Sequence, residues 1–316
     1  MQTASMRTAY GEALVEVGKK NKDIVVLEAD LSKATKTVLF AEEFPERFFN
    51  IGIAEQNMMS MAAGFASCGK IPFATALAVF ASMRACEQVR TSICIGNLNV
   101  KIGAPYGGLC TAENGPTHQC IADLNIMRGF PNMTVLTPSD ALACKAAVHW
   151  AVAHRGPVYI RMLRDAEPVL YENMAEIDIE KGNRLHAGDD IAIICNGFTA
   201  HMALQAAEEL AKEGVSAAVH DVFCLKPLAQ DIVLELAQTC QRILTVEEHN
   251  IYGGLGSAVA EVISQNHPVP LKIMGINDYF SDSGSHKELL GKAGLTVENI
   301  IKQVKELVES RKGWNV

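Results

Sequence analysis

Several common signatures are missing from this sequence of 316 residues. No apolar run approaches the roughly 18 residues of a membrane-spanning helix, and the first residues lack the apolar segment and the cleavage pattern of a signal peptide. Basic residues do not dominate, since the net charge is -8. Because nucleic acid is bound by basic surfaces, the composition argues against it as the main partner. We expect a cytoplasmic protein that binds neither a membrane nor nucleic acid.

Signatures of disulfides, of structural zinc sites and of nucleotide-binding loops are missing as well. The 9 cysteines are odd in number, scattered, and never spaced as CxxC, which argues for free thiols packed as small apolar residues rather than a disulfide framework or a metal site. No P-loop occurs, and no GxGxxG follows the first predicted strand. The glycines of "GGLGSAVAEVI" (253–263) follow a polar "VEEH", and we interpret them as a helix-packing turn.

What the sequence does contain is an alternation of short apolar runs with longer helix-like stretches. Unbroken apolar runs are typical of strands covered on both faces, and their alternation with helices predicts an α/β fold with a parallel sheet. In the first half, strands are predicted at 23–30, 47–53, 71–79, 99–106, 133–140 and 156–163. Helices are predicted between them, at about 54–68, 80–95, 118–128 and 139–154.

A charged, loop-like stretch between Asp165 and Asp189 interrupts this alternation, which then resumes. We therefore predict two three-layer α/β domains, at 1–165 and 189–316, joined by a linker at 166–188. The second domain has predicted strands at 191–197, 216–223, 242–249 and 271–277, and helices at 199–214 and 296–312. The last of these helices is amphipathic.

One carboxylate stands in the uncharged, largely apolar run "NIGIAEQN" (50–57). Glu55 follows a predicted strand and opens a predicted helix, and ligands of open α/β sheets bind where the strands end. It is either an exposed residue favoured by the helix dipole or a buried acid whose pKa is raised by desolvation. The neighbouring Ile, Phe and Met residues favour the second interpretation, although position alone leaves both open.

Two other stretches carry reactive side chains. In "GLCTAENGPTHQ" (108–119), His118 is predicted to begin a helix after a glycine-rich loop. A histidine there can move protons or hydrogen-bond a substrate hydroxyl, although a lone histidine is more often structural. Arg161 and Arg164 lie at the end of the sixth predicted strand, where two arginines indicate an anion such as a phosphate. Arg7 is ambiguous by itself.

Four motifs in one order connect these features: "NIGIAEQNMMSMAAGFA", "FATALAVFASMRACEQVR", "AENGPTHQ" and "VEEHNIYGGLGSAV". Together they resemble the transketolase family of thiamine-diphosphate enzymes over essentially the whole chain. The resemblance is to the C-terminal half of transketolase, a pyrimidine-binding domain followed by a small C-terminal domain. It implies the second subunit of a transketolase encoded as two polypeptides, which transfers a ketol group from a ketose phosphate to an aldose phosphate.

The resemblance also implies roles for individual residues. Glu55 hydrogen-bonds N1′ of the cofactor's aminopyrimidine and so promotes loss of the proton at C2, a task that suits a carboxyl group in an apolar pocket. Phe80 stacks on the aminopyrimidine, and His118 lies near the reacting carbons of the donor sugar. The other implied residues are Asp30 and Leu77 beside the cofactor, and Arg7, Arg164, Asn114 and Tyr106 at the sugar phosphate.

Four of these positions depart from the typical transketolase pattern. Tyr106 stands for a histidine, Asn114 for an aspartate, Ala34 for a serine and Leu77 for an aromatic residue. Because an amide donates as well as accepts hydrogen bonds, Asn114 should recognise hydroxyl groups differently. We expect a retained cofactor site and an altered sugar site, which keeps open a modified ketose such as apulose 4-phosphate or a sulfosugar.

The family holds the diphosphate and Mg²⁺ with a GDG…N motif that this chain does not contain. The resemblance therefore implies that thiamine diphosphate and Mg²⁺ are held mainly by an N-terminal transketolase subunit. The active site is then expected to form between chains, in an α2β2 heterotetramer that binds sugar phosphates.

Three alternatives remain open from the sequence. Within the superfamily, the chain could be a 1-deoxyxylulose-5-phosphate synthase or the β subunit of a 2-oxo-acid dehydrogenase, and pyruvate decarboxylation would separate these from a transketolase. Outside catalysis, it could be a partner subunit that only keeps the fold. The retention of Glu55, Phe80 and His118 argues against a non-catalytic role, because a scaffold needs no carboxyl group in an apolar pocket.

Overall fold

The computed structural model describes residues 2–309 and divides them around two large sheets, of seven and five strands, and a two-stranded ribbon. The elements up to residue 168 are β1 (Thr3–Ser5), α1 (Met6–Lys20), β2 (Ile24–Glu28), α2 (Ser32–Thr35), α3 (Val38–Glu43), β3 (Phe48–Asn50), α4 (Glu55–Ser67), β4 (Ile71–Thr75), α5 (Cys86–Gln88), β5 (Lys101–Ala104), α6 (Asp123–Arg128), β6 (Thr134–Leu136), α7 (Ala141–Ala153), β7 (Val158–Arg161) and β8 (Ala166–Pro168).

Most of the elements after residue 168 build the five-stranded sheet and its helices. In chain order, the elements after residue 168 are β9 (Asn183–His186), β10 (Ile191–Cys195), α8 (Thr199–Lys212), β11 (Ala217–Asp221), β12 (Cys224–Lys226), α9 (Gln230–Cys240), β13 (Ile243–Asn250), α10 (Leu255–Asn266), β14 (Leu271–Ile276), α11 (His286–Lys292) and α12 (Val297–Glu309). Residues 310–312 of the predicted last helix lie outside the described residues. Within the described part, no helix is long and apolar enough to cross a membrane.

The predicted parallel α/β fold is confirmed. The seven-stranded sheet runs β12-β6-β7-β5-β4-β2-β3, and every neighbouring pair except β12–β6 is parallel. The five-stranded sheet runs β14-β13-β10-β11-β9, with only the edge strand β9 antiparallel. The central strand β2 is buried at all five positions, as expected for a strand covered by helices on both faces.

Two predicted helices differ from the structure. The segment 80–95 is helical, but most of it winds with wide π turns, over Phe80–Arg84 and Val89–Cys94, on either side of α5. The helix predicted to begin at His118 is wrong in its start, because α6 begins at Asp123. Residues 115–118 instead form a turn, in which the amide of His118 donates to the carbonyl of Gly115 at 3.0 Å.

The two halves of the chain are joined by a strand as well as by a linker. Strand β12 follows the second domain's β11 in the chain, yet it pairs with β6 of the first sheet. The segment 166–188, predicted to be loop-like, contains β8, which pairs with β1, and β9, which joins the second sheet. The division into 1–165, 166–188 and 189–316 stays a prediction. Because β12 completes the seven-stranded sheet, that sheet depends on a strand from the second half of the chain.

Close packing of the central strands predicts one sensitive position. A Cβ at Gly103 of β5 would lie 2.2 Å from the hydroxyl of Tyr10, which is buried and hydrogen-bonded to Thr75 at 2.8 Å. Gly103→Ala should therefore lower the free energy of unfolding by roughly 1–3 kcal/mol through overpacking. Urea unfolding monitored by circular dichroism measures this change.

The matched control is Gly64→Ala in α4. A Cβ there meets nothing within 4 Å, and replacing a helical glycine by alanine stabilises by roughly 0.5–1 kcal/mol. Equal effects of the two substitutions would contradict the packing argument.

Candidate active site

The predicted site residues lie at one edge of the seven-stranded sheet, just beyond the carboxyl ends of its strands. The chain leaves β2 toward Asp30, β3 toward Glu55, β4 toward Phe80, β5 toward Tyr106, and β7 toward Arg164. Because these five strands run parallel to one another, their following loops emerge at the same edge. This is the edge at which open α/β sheets bind ligands.

Glu55 is the first residue of α4, and its side chain is 1% exposed. Its two carboxylate oxygens accept hydrogen bonds from Nη1 of Arg84, at 3.0 and 2.9 Å. The interpretation of Glu55 as a buried acid is therefore the one that the structure supports, but with a charged partner that we did not predict. A sequence signal for Arg84 existed, because it lies four residues after Phe80 and so on the same face of a helical segment.

A chain of side-chain contacts leads from Glu55 to His118. The guanidinium carbon of Arg84 lies 4.2 Å from the ring centroid of Phe80. The ring of Phe80 meets that of His118 edge to face, with centroids 5.4 Å apart and planes at 77°. The Nδ1 of His118 is 2.9 Å from the hydroxyl of Thr117. Three residues predicted from separate motifs thus lie in one cluster.

The turn that holds Asp30 is tied to the loop before Glu55. Asp30 adopts a left-handed backbone conformation with φ 62. The side-chain oxygen of Asn50 accepts from the amides of Asp30 and Gly52, at 3.1 and 3.0 Å, and its nitrogen donates to the Asp30 carboxylate at 3.0 Å. Asn50, the first residue of the "NIGIAEQN" run, therefore joins the two loops.

The residues predicted for the sugar phosphate form a second cluster. Arg7 donates from Nε to the carbonyl of Arg164, and from Nη1 to the carbonyl of Ala34 and the hydroxyl of Tyr106, at 2.6, 2.6 and 2.9 Å. The guanidinium carbons of Arg7 and Arg164 lie 5.0 and 6.0 Å from the centroid of the Tyr106 ring. A guanidinium has five N–H donors, so the two on Nη2 of Arg7 remain for a ligand.

Arg161 does not join this cluster, which corrects the expectation that both arginines of its strand face an anion. It is buried and donates from Nε to the carboxylate of Asp123 at 2.9 Å. Its Nη2 donates to the carbonyls of Cys120 and Glu248, at 3.1 and 3.0 Å. Alternate residues of a strand point to opposite sides, and Arg161 is the last residue of β7 itself. Its Nε and Nη2 donors are therefore used inside the protein.

Two further predicted residues lie apart from these contacts. Leu77 is 5% exposed and packs in the main core at the start of the turn that leads to Phe80. Asn114 is exposed, at the end of a short 3-10 helix, Ala112–Asn114. Both are on the site edge of the sheet by their place in the chain, but the described structure gives the Asn114 side chain no hydrogen bond.

Two family models cover this arrangement. The transketolase pyrimidine-binding domain matches residues 2–168, and the transketolase C-terminal domain matches residues 180–300. The chain belongs to the transketolase family. The first of these domains contains the Glu55 and Tyr106 clusters. The recognition based on four motifs is thereby confirmed for the whole architecture.

Relatives of similar length agree with this assignment. A protein of Methanocaldococcus jannaschii whose name describes a transketolase C-terminal section is 45% identical over 304 residues, covering 95% of each chain. A 6-deoxy-6-sulfo-D-fructose transketolase subunit of Clostridium sp. MSTE9 is 39% identical, over 97% of this chain and 95% of the relative. A solved structure described as a split gene transketolase, inactive beta4 tetramer, has a TM-score of 0.91 and 46% identity, over 96% of this chain and 98% of that one.

The Glu55 cluster fits the aminopyrimidine of thiamine diphosphate, the cofactor that transketolase domains imply. A carboxylate offers about four lone-pair positions, and both oxygens of Glu55 share the single donor nitrogen of Arg84. Acceptor positions therefore remain for a protonated ring nitrogen of a ligand, and the half-buried ring of Phe80 can stack on a flat heterocycle. No group of His, Cys, Asp or Glu side chains in residues 2–309 is arranged to hold a metal ion.

Beneath the Asp30 turn, a second buried acid predicts a pH effect on stability. Burial raises the pKa of the Glu28 carboxyl to about 7, although hydrogen bonds from Thr37 and Thr35, at 2.6 and 2.9 Å, oppose the rise. Because its pKa is raised in the folded chain, Glu28 stabilises the fold fully below its unfolded pKa of about 4.5. This stabilisation is lost as the pH rises through the folded pKa of about 7.

Glu28→Gln should remove this dependence. As the pH rises from about 4.5 to about 7, the wild type should lose stability that the variant keeps. The stability difference between them should change by an amount of the order of 3 kcal/mol, at 1.36 kcal/mol per pKa unit. Denaturant unfolding of both chains across this range measures the difference. A difference that stays constant with pH would show that Glu28 does not titrate in the folded chain.

Proposed function

We propose that this chain is the C-terminal subunit of a two-chain transketolase that transfers a ketol group from a ketose phosphate to an aldose phosphate. The observation that carries the proposal is the contact chain from Glu55 through Arg84 and Phe80 to His118. It joins a buried carboxylate, an aromatic surface and a histidine, which are the groups needed to orient a pyrimidine and to move protons at a sugar.

In this proposal, Glu55 holds a proton at N1′ of the aminopyrimidine of thiamine diphosphate. The thiamine cofactor, when bound, supplies a carbon that can accept and stabilise negative charge. Arg84 contacts both oxygens of Glu55 and so fixes the orientation of the carboxylate. Phe80 supports the pyrimidine ring from its face, and the fully buried carboxylate keeps water from competing for the same hydrogen bond.

His118 is proposed to hydrogen-bond the hydroxyl groups of the donor sugar near the carbons that react. Its ring is half-buried and rests edge to face on Phe80. Its Nδ1 is engaged by Thr117, so Nε2 is the atom left to meet a substrate. A histidine in this place can act as a general acid or base toward a sugar hydroxyl.

The remaining parts of the site are proposed to come from a second chain. An N-terminal transketolase subunit would hold the diphosphate and Mg²⁺, because this chain has no GDG…N motif. The C-terminal section named in Methanocaldococcus jannaschii and the solved split gene transketolase support a two-chain enzyme, and we propose an α2β2 heterotetramer. Nine free cysteines fit a reducing compartment such as the cytoplasm.

The sugar that this site accepts is proposed to differ from that of typical transketolases at its distal end. Tyr106 already takes one donor of Arg7, and the carbonyl of Ala34 takes another. The distal group is therefore left to Arg164 and to Nη2 of Arg7. The sulfo-fructose name of the Clostridium relative supports a ketose with a modified distal anion, and apulose 4-phosphate, a branched ketose phosphate, remains a second candidate.

Glu55→Gln should abolish most ketol transfer. The amide cannot shuttle a proton to the pyrimidine, so kcat should fall by roughly 10²–10⁴, the range for loss of a general acid–base group. The measurement is ketol transfer by the chain reconstituted with the N-terminal transketolase subunit of the same organism, thiamine diphosphate and Mg²⁺. Glu46→Gln, at a side chain that is 69% exposed, is the matched control.

Two results would contradict the proposal. Full activity of the Glu55→Gln complex would favour a non-catalytic subunit beside an active partner. Pyruvate decarboxylation without ketol transfer would instead indicate a deoxyxylulose-phosphate synthase or a 2-oxo-acid dehydrogenase component.

Substrate choice should respond to the Tyr106 cluster. In the Tyr106→His, Ala34→Ser double variant, the introduced imidazole and hydroxyl can donate to a phosphate, and the donor of Arg7 that Tyr106 now takes is released. The ratio of kcat/KM for xylulose 5-phosphate to that for 6-deoxy-6-sulfofructose should rise about tenfold, the effect of one hydrogen bond to a charged group. An unchanged ratio would show that these two positions do not select the sugar.

A further inference from the structure

The second domain turns its ligand-binding edge toward the first domain. In the five-stranded sheet, β11 lies on one side of β10, whereas β13 and β14 lie on the other. The chain connections therefore reverse between β10 and β13, which is where open α/β sheets usually bind a ligand. In this chain, Leu109 and Ile121 of the first domain pack in the second domain's core. These two residues flank the loop that carries His118.

Glu248, near the end of β13, contacts the backbone of this loop. The carboxylate is buried, and its Oε1 accepts the amide of Leu109 at 2.7 Å. The approach is so close that a Cβ at Gly108 would lie 2.3 Å from the same oxygen, and Gly108 has a left-handed backbone with φ 72. Glycine at 108 therefore allows the carboxylate to reach the loop.

His286, the first residue of α11, holds Glu248 from the other side. Its Nε2 lies 2.9 Å from Oε1 of Glu248, and the His286 side chain is 10% exposed. Burial alone would lower the pKa of His286, but the charge and hydrogen bond of Glu248, together with the charges of Glu167 and Asp165, leave that pKa raised. Since a buried carboxylate is costly without a partner, the histidine compensates the charge that the loop contact requires.

Other contacts hold the same loop from the second domain. The side-chain amide of Gln119 donates to the carbonyl of Asp282 at 2.9 Å, and the amide of Asn250 donates to the carbonyl of Ile121 at 2.9 Å. The backbone on both sides of His118 is thus bonded to the second domain, at Leu109 and at Ile121. The position of His118 relative to Glu55 follows from this backbone.

We propose that Glu248 and His286 are positioning residues for ketol transfer, which act by fixing the loop from Gly107 to Gln119 against the second domain. The inference rests on the proposed function, since it gives the second domain a part in placing His118. Neither residue touches the Glu55 cluster in the described structure. Their removal should therefore leave the aminopyrimidine contacts intact while the sugar-facing histidine becomes less ordered.

Hydrogen exchange on the isolated chain tests the anchoring without any catalysis. In Glu248→Gln, the amide of Leu109 loses a charged acceptor, and exchange of the 107–119 peptide should accelerate roughly tenfold. His286→Phe should have a similar effect, because it leaves the carboxylate without its partner. The matched control is Glu247→Gln, whose carboxylate accepts from the amides of Leu255 and Gly256 in α10 at 2.7 and 2.9 Å, and which should leave the loop peptide unchanged.

Kinetics of the reconstituted complex then separate positioning from general destabilisation. Glu248→Gln should lower kcat for ketol transfer roughly tenfold, while the KM for thiamine diphosphate stays within about twofold of the wild type. Unchanged exchange of the loop in both variants, or unchanged kcat despite faster exchange, would overturn the inference. A wild-type complex without ketol transfer would overturn the proposed function instead, and the exchange result would still decide the anchoring.

Discussion

A carboxylate that is almost wholly buried needs a partner, and Glu55 receives one from Arg84 at the edge of the seven-stranded sheet. The cost of removing a charge from water is large unless it is paired. This requirement brings the helical segment that contains Phe80 and Arg84 onto the start of α4, and the His118 ring follows through Phe80. The geometry of the candidate site is thus organised around one ion pair.

The same edge carries a second group of side chains, to which we assign recognition of a distal anion in the proposed function. Arg7 and Arg164 flank the Tyr106 ring, and Arg7 is held by two backbone carbonyls. The Glu55 cluster and the Tyr106 cluster share no described contact and can therefore change independently. This separation explains how a chain can keep the Glu55 cluster while departing from the usual pattern at Tyr106 and Ala34.

The second domain contributes through the loop between these two clusters. Its sheet has the topology that often binds a small ligand at the β10–β13 crossover, yet the first domain's loop contacts that edge through Leu109. A buried acid and a histidine, Glu248 and His286, make this contact. The sequence singles out neither residue. In "VEEH" two glutamates are adjacent, and only the fold shows that Glu247 bonds to the start of α10 whereas Glu248 reaches the other domain.

The sequence by itself determined the α/β class and the parallel character of the sheet, because unbroken apolar runs admit few other folds. It placed Glu55 between a strand and a helix but left its burial open. Its motifs determined the family. Only the tertiary structure decided which side chains pair. Arg161 and Arg164 are three residues apart, but one is bonded inside the protein and the other lies by Tyr106. The true start of α6 was equally out of reach. The pairing of a side chain depends on residues that are distant in the chain, and local sequence patterns do not show which distant residues come together.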